Sequence, residues 1–108
     1  MITIKLFKKG ETITGFDVSG HSGYAEAGSD IVCAAVSSAV ELVETIINDS
    51  FKASSDVTVD PEEARVKLLL LKTCDKCVAV LEGFARHMKA LSEEYPMYIK
   101  VLEVQSNA

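Results

Sequence analysis

The stretch SDIVCAAVSSAVELVETIINDS, residues 29–50, decides how the rest of this chain must pack. Ser29 and Asp30 offer side-chain oxygens that can cap a helix N-terminus, and we predict a helix from about Asp30 to Ser50. At about 100° per residue, its polar side chains fall within about 80° of one another. They are Asp30, Cys33, Ser37, Glu41, Glu44 and Asn48. The remaining helix surface is mostly apolar, so we expect it to be buried by a sheet and by either a second helix or another subunit.

Two strands are predicted before this helix. Apolar and polar residues alternate over Ile2–Lys8, which is typical of a half-buried strand. A turn at residues 9–11 leads to a second predicted strand, Thr12–Ser19. The short connection predicts that the two strands form an antiparallel hairpin.

A second hairpin and a second helix are predicted after residue 50. Asp56–Val59 and Arg65–Leu71 are the strands, and Pro61 lies in the turn between them. Thr73 or Asp75 caps a helix that runs to about Glu93, with its apolar stripe at Val78, Leu81, Phe84 or Ala85, Met88 and Leu91. Tyr95-Pro96 ends it, and a final strand at Met97–Val104 precedes a polar tail, Gln105–Ala108.

The order ββαββαβ predicts an α+β fold, a mainly antiparallel sheet packed with two helices. With 108 residues, 48% hydrophobic and 25% charged, we expect one domain over residues 1–108. The net charge of −5 argues against a nucleic-acid binder that works through a basic face. The longest uninterrupted apolar run, Ile31–Val36, is far shorter than a membrane span, and no basic stretch followed by an apolar block marks a signal peptide. We therefore expect a cytoplasmic protein, without a membrane partner, whose three cysteines are reduced.

Cys33 is the first candidate for chemistry. A cysteine in a helix rich in alanine and valine is most simply a buried core thiol. Cys33, however, lies in the polar stripe and in the first helical turn. Unpaired N–H groups and the helix dipole make that end positive, which favours a thiolate and could stabilise an oxyanion.

A nucleophilic cysteine needs a base nearby, and the chain has two histidines. His87 lies in the middle of the second predicted helix and is most simply structural. His21 lies in a loop, residues 20–28, that contains Gly20, Gly23 and Gly28 and leads directly into the Cys33 helix. This arrangement lets His21 and Cys33 meet, and the glycines allow the loop to move.

These same residues carry a family resemblance. The pattern GHSGYA at residues 20–25, followed by GSDIVCAAVS at residues 28–37, resembles the signature of the ribosomal-processing cysteine proteases, the Prp family. The resemblance extends over essentially the whole chain, including its length and its order of elements. It implies a cytoplasmic bacterial endopeptidase that removes the N-terminal extension of a large-subunit ribosomal protein, acts as a homodimer and uses neither cofactor nor metal.

The resemblance also implies roles for individual residues. Cys33 is implied as the nucleophile and His21 as the base, with Asp30 and Ser37 supporting them. From the residues alone, Asp30 either caps the helix or orients the loop, and Ser37 either touches substrate or is a plain solvated hydroxyl. Gly20 belongs to the same loop signature.

Three alternatives remain open. Cys74 and Cys77 form a C-x-x-C that could be a redox pair, half of a zinc site, or two ordinary helix-start cysteines; the last is the simplest. The chain could instead be a non-catalytic assembly factor that binds a basic ribosomal protein. Glu41 and Glu44, and the acidic turn at residues 60–63, are most simply solvated faces.

Overall fold

The computed structural model describes residues 1–26 and 28–106 of the chain. The strands are β1 (Ile2–Lys9), β2 (Thr12–Ser19), β3 (Ser55–Asp60), β4 (Arg65–Leu70) and β5 (Ile99–Gln105). The helices are α1 (Ile31–Thr45), which continues as a π-helical segment over Ile46–Ser50, and α2 (Asp75–Glu94). The predicted order ββαββαβ is therefore confirmed.

All five strands belong to one sheet with the order β3-β4-β2-β1-β5. The pairs β1–β2, β2–β4 and β3–β4 are antiparallel. The β1–β5 pair is parallel and runs from Ile2 opposite Ile99 to Lys8 opposite Gln105. The sheet is thus mainly antiparallel, as predicted, with one parallel pair at the edge where the last strand joins the first.

Both helices contribute to the hydrophobic core that covers one face of this sheet. Ile4, Leu6, Phe16 and Leu68 have no exposed surface, and they cluster with buried residues from both helices. Those helix residues are Val32, Val36, Val40, Val43 and Ile47 from the first helix, and Cys77, Leu81, Phe84, Ala85 and Met88 from α2. The alternation of apolar side chains in the strands therefore selects the covered face.

The opposite face of the sheet carries both polar and apolar side chains, among them Lys5, Phe7 and Leu102. Asp17 is nevertheless buried there, because the Arg65 guanidinium covers it and donates to both of its carboxylate oxygens. Lys67 lies on the same face, with its ammonium 5.6 Å from the centre of the Phe7 ring.

The first helix packs against the sheet and against α2, and its remaining side is exposed. Ile31 is 56% exposed and Leu42 61% exposed, and a rotation of about 100° per residue places them on the same side of the helix. The predicted burial by the sheet and the second helix is therefore present, and within the described part of the chain nothing covers the side that carries Ile31 and Leu42. By length and composition alone, residues 31–50 could cross a membrane, but their buried side chains form part of the core.

Several predicted boundaries differ from those in the structure. The last strand begins at Ile99 instead of Met97, because the Tyr98 N–H donates to the Tyr95 carbonyl in a turn before the strand. Gln105, predicted to start the polar tail, belongs to β5. The end of that tail, residues 107–108, lies outside the described residues, as does Ala27 of the glycine-rich loop.

Two glycine substitutions should show how closely the sheet is packed. A Cβ added at Gly15, in β2, would lie 2.2 Å from the Leu68 carbonyl oxygen, so we expect Gly15→Ala to lower the free energy of unfolding by about 1–3 kcal/mol. Gly83, within α2, has nothing within 4 Å of such a Cβ, so Gly83→Ala should stabilise the protein by about 0.5–1 kcal/mol. Urea unfolding measures both, and equal effects would contradict the described strand register.

Candidate active site

A cavity of about 760 Å³ opens between the start of α1, the loop after β2 and the β3–β4 hairpin. Its apolar lining comes from both helix and sheet: Ile2, Val18, Val36, Val40, Val59 and Val66. His21, Cys33 and Asp30 line the same cavity, together with Gly20, Gly23, Gly28 and Ser37. The structure thus brings every predicted site residue to one place.

The Asp30 carboxylate joins the helix to the loop. Its Oδ1 accepts hydrogen bonds from the Val32 and Cys33 N–H groups, each at 3.0 Å. Its Oδ2 accepts from the Ser22 hydroxyl and from the Ala25 N–H, the latter at 3.3 Å. Of the two roles considered for Asp30, capping the helix and orienting the loop, the structure shows both.

These hydrogen bonds stabilise the ionised carboxylate. The Ser22 hydroxyl is the largest cause, and the N–H groups of Cys33, Ala25 and Val32 add to it. Together they outweigh the opposing effect of burial and lower the pKa of Asp30 from 3.8 to about 2. A negative charge is therefore fixed at the helix start.

One expectation drawn from the helix start is wrong in this resting structure. The N–H groups of the first turn were expected to be unpaired and free to bind an oxyanion. Instead, those of Val32 and Cys33 donate to the Asp30 side chain, and that of Ala34 donates to the Asp30 carbonyl at 3.1 Å. Asp30 occupies these donors because a carboxylate at the N-cap position lies directly above them.

Cys33 is half-buried and contacts Ser22, a residue that the sequence analysis did not single out. The Ser22 N–H donates to Cys33 Sγ at 3.4 Å, and the Cys33 thiol donates to Ser22 Oγ at 3.6 Å. The same Oγ accepts from the Tyr24 N–H at 3.1 Å and donates to Asp30. The Ser22 hydroxyl therefore donates one hydrogen bond and accepts two, which is all that a hydroxyl can make. Ser22 is also buried.

His21 is exposed at the mouth of the cavity. Across residues 1–26 and 28–106, no hydrogen bond joins it to Cys33. The loop backbone explains its position: Gly20 has φ +92°, and a Cβ there would lie 2.5 Å from the Met1 carbonyl oxygen. Only glycine fits this point, and Gly23 and Gly28 also have positive φ.

Tyr24 fixes the middle of the loop from the outside. Its ring makes edge-to-face contacts with Tyr95 and Tyr98, with centroids 5.9 Å and 5.2 Å away. These two tyrosines lie between α2 and β5. The loop is therefore held on one side by Asp30 and on the other by aromatic packing, with His21 on the segment before both anchors.

The other wall of the cavity includes Ser37 and two acidic residues, Glu41 and Asp60, that were expected to lie on solvated faces. Glu41 and Ser37 are exposed, and both line the cavity. Asp60, the last residue of β3, also lines it and accepts hydrogen bonds from the N–H groups of Glu62 and Glu63 at 3.1 Å and 3.3 Å. That hairpin could not be placed at the site from local pattern, because its position depends on the pairing of β4 with β2.

The remaining candidates lie elsewhere. Cys74, Cys77 and His87 do not line the cavity, and His87 is exposed on α2, in agreement with its structural assignment. Among the described residues, no group of three or more histidine, cysteine, aspartate or glutamate side chains could hold a metal ion. The zinc hypothesis for the cysteine pair has no third ligand in that part of the chain.

The sequence profile described as cysteine protease Prp matches residues 1–100, nearly the full length of the chain. The chain belongs to the Prp family of cysteine proteases. No curated protein sequence matches it closely enough to count as a relative. Family membership makes it an enzyme of the cysteine protease class, in agreement with the resemblance carried by residues 20–37.

Solved structures share this fold. The ribosomal processing protease Prp from S. aureus, in complex with a covalently linked product peptide, has a TM-score of 0.86 and 23% sequence identity, covering 96% of this chain and 100% of that one. SMU.848 from Streptococcus mutans has a TM-score of 0.82 at 21% identity, covering 98% and 96%. At these identities the likeness establishes the fold alone.

The Ser22–Asp30 hydrogen bond should make stability depend on pH. The lowered pKa of Asp30 means that its carboxylate stabilises the folded protein above about pH 4, and that this contribution is lost as the pH falls from 3.8 towards about 2. Ser22→Ala removes the main cause of the shift. We expect the variant to be less stable at neutral pH and the gap from the unmodified protein to shrink as the pH falls through this window, measured by urea unfolding.

Ser37→Ala is the matched control, because Ser37 is an exposed serine on the same cavity. Its effect on the free energy of unfolding should be small and independent of pH. A constant gap for Ser22→Ala from pH 7 to pH 2 would show that Ser22 does not act through Asp30.

Proposed function

We propose that this chain is an endopeptidase that removes the N-terminal extension from a large-subunit ribosomal protein in the cytoplasm, with Cys33 as nucleophile and His21 as base. The observation that carries the proposal is that both side chains line one cavity in a member of the Prp family. No other described cysteine or histidine lines that cavity.

The resting contacts suggest how the reaction begins. The Cys33 thiol donates its proton in a hydrogen bond to Ser22 Oγ. This oxygen does not act as the base, since the Ser22 hydroxyl keeps its own proton in the hydrogen bond to Asp30. His21 lies between Gly20, whose N–H donates to the Ala64 carbonyl, and Ser22 of the Asp30 cluster. Rotation of the exposed His21 side chain on peptide binding can bring the imidazole to the thiol while those hydrogen bonds remain. His21 then takes the proton, and the Cys33 thiolate attacks the scissile carbonyl.

Ser22 also offers a donor for the charge that develops. Its N–H donates to Cys33 Sγ at 3.4 Å and so favours a thiolate. When the sulfur attacks, negative charge develops on the carbonyl oxygen of the substrate. The same N–H can then donate its hydrogen bond to this oxyanion. His21 next protonates the leaving amine, and water hydrolyses the thioester that remains on Cys33.

The cavity walls favour an extended peptide with apolar side chains. The polar rim of the cavity carries Glu41 and Asp60, and the whole chain has a net charge of −5. A basic ribosomal protein is attracted to such a surface. The S. aureus relative has been solved both with a substrate peptide and with a covalently linked product peptide, which supports a peptide as the occupant here.

The proposed enzyme works as a homodimer, without a nucleic-acid or membrane partner. The uncovered side of α1 supports this part of the proposal, because Ile31, Ala34, Ser38, Leu42 and Thr45 are all exposed and none is charged. An uncharged surface with large apolar side chains is typical of a protein contact.

Cleavage should depend on the two cavity residues and on no other cysteine or histidine. Cys33→Ser should abolish cleavage of an extended ribosomal protein while retaining binding of the extension peptide, and His21→Ala should lower kcat at least about 100-fold through loss of the base. Product mass and peptide binding by calorimetry measure these effects. Cys74→Ser and His87→Ala are the matched controls and should cleave normally.

Alkylation tests the alternative of a non-catalytic binding module. A nucleophilic Cys33 should react with iodoacetamide faster than an ordinary thiol near neutral pH, and bound extension peptide should slow the reaction. Slow alkylation that peptide does not change, together with cleavage unaffected by Cys33→Ser, would favour a binding module.

The dimer proposal predicts that one charge on α1 separates the subunits. Leu42→Lys places an ammonium at the centre of the uncharged side, so the mass measured by sedimentation should fall from that of two chains to that of one. Leu71, 63% exposed at the end of β4, gives the control Leu71→Lys, which should leave the mass unchanged. A monomeric unmodified protein would contradict the proposal.

A further inference from the structure

Cys74 and Cys77 lie together at the start of α2, away from the cavity. Cys74 is the N-cap residue and is half-buried, whereas Cys77 lies in the first turn and has no exposed surface. The Val78 N–H donates to the Cys74 carbonyl at 2.9 Å, which closes that turn. The proposed peptidase reaction uses neither thiol.

The two sulfurs are within reach of each other. Helix geometry places Cα atoms three residues apart at a distance of about 5 Å, and disulfides join Cα atoms that lie roughly 4.4–6.8 Å apart. Cys74 is the N-cap residue and Cys77 the third residue of α2, so this spacing applies to them. A disulfide can therefore form with little movement of the backbone.

The surroundings shift the pKa values of the two thiols in opposite directions. The hydrogen bond from Cys77 is the main cause that lowers the pKa of Cys74, and the first-turn N–H groups of Cys77 and Lys76 act in the same direction, although none forms a regular capping bond. Burial, followed by that same hydrogen bond, raises the pKa of Cys77 to about 11. A half-buried thiol with a lowered pKa beside a fully buried thiol is an arrangement that suits exchange with a disulfide.

The fold does not make this pair a thioredoxin-type enzyme. β4 pairs with β2 and β3, and β5 pairs with β1, so α2 does not connect two neighbouring parallel strands. The pair instead requires only a small oxidant that can reach Cys74. We propose that Cys74 and Cys77 form a reversible thiol–disulfide site that reacts with low-molecular-weight disulfides, independently of the cavity.

The exchange occurs in two balanced steps. The Cys74 thiolate attacks one sulfur of the small disulfide, forms a mixed disulfide and releases the other half as a thiolate. Cys77 then loses its proton to solvent and attacks Cys74 Sγ, which releases the second half. In total, the two protein thiols are oxidised to one disulfide and the small disulfide is reduced to two thiols.

Oxidised glutathione tests the proposal on folded Cys33→Ser protein, in which only these two thiols remain. The expected product is a monomeric chain lighter by two hydrogen atoms, with the Cys74–Cys77 link found by peptide mapping and removed by dithiothreitol. An unchanged mass, or disulfide-linked dimers as the main product, would overturn the proposal.

Single variants separate the two steps. In the Cys33→Ser background, Cys77→Ala should accumulate glutathione on Cys74, whereas Cys74→Ala should leave Cys77 unmodified while the protein stays folded. Circular dichroism checks that each variant is folded. Because Cys74 is only half-buried, Cys74→Ala should stay folded and remain informative even if Cys77→Ala unfolds. Glutathione found on Cys77 in folded Cys74→Ala would overturn the assigned order. Because the reaction occurs without Cys33, it can succeed or fail independently of the proposed peptidase activity.

Discussion

A single carboxylate holds the site of this protein together. Asp30 receives two N–H groups of α1 on one oxygen, and a hydroxyl and an N–H of the preceding loop on the other. Removing its charge would loosen the helix start, release Ser22 from Asp30 and change the surroundings of the Cys33 sulfur at once. Folding and the proposed chemistry therefore share one group. Its four hydrogen bonds explain why its pKa is depressed although the side chain is buried.

The rest of the fold supplies rigid walls for that cluster. The start of α1 is fixed because Val32 and Val36 are buried against the sheet, and the loop is fixed because Tyr24 packs on Tyr95 and Tyr98. The start of the loop is fixed as well, because the Gly20 N–H donates to the Ala64 carbonyl at 3.1 Å, but the His21 side chain is exposed. In the proposed mechanism, these contacts keep Cys33 oriented while His21 reaches the thiol only when substrate binds.

Much of this could be predicted from the sequence, for physical reasons. Alternation in β1 and the apolar stripe of α2 are local patterns, and both predicted the buried faces. The parallel pairing of β1 with β5 could not be predicted, because it joins residues almost a full chain length apart. Ser22 was missed for a related reason: a small polar residue in a glycine-rich loop has no periodicity, and its three partners meet only once the loop has closed on Asp30.

The position of the first residues has a practical consequence. Met1 lies against Gly20, and Ile2 both lines the cavity and donates its N–H to the Tyr98 carbonyl. An affinity tag fused in front of Met1 would emerge beside the loop that carries His21 and could enter the cavity as a competing peptide. Assay protein is therefore better purified through a tag at the other end, or with an N-terminal tag removed completely before cleavage is measured.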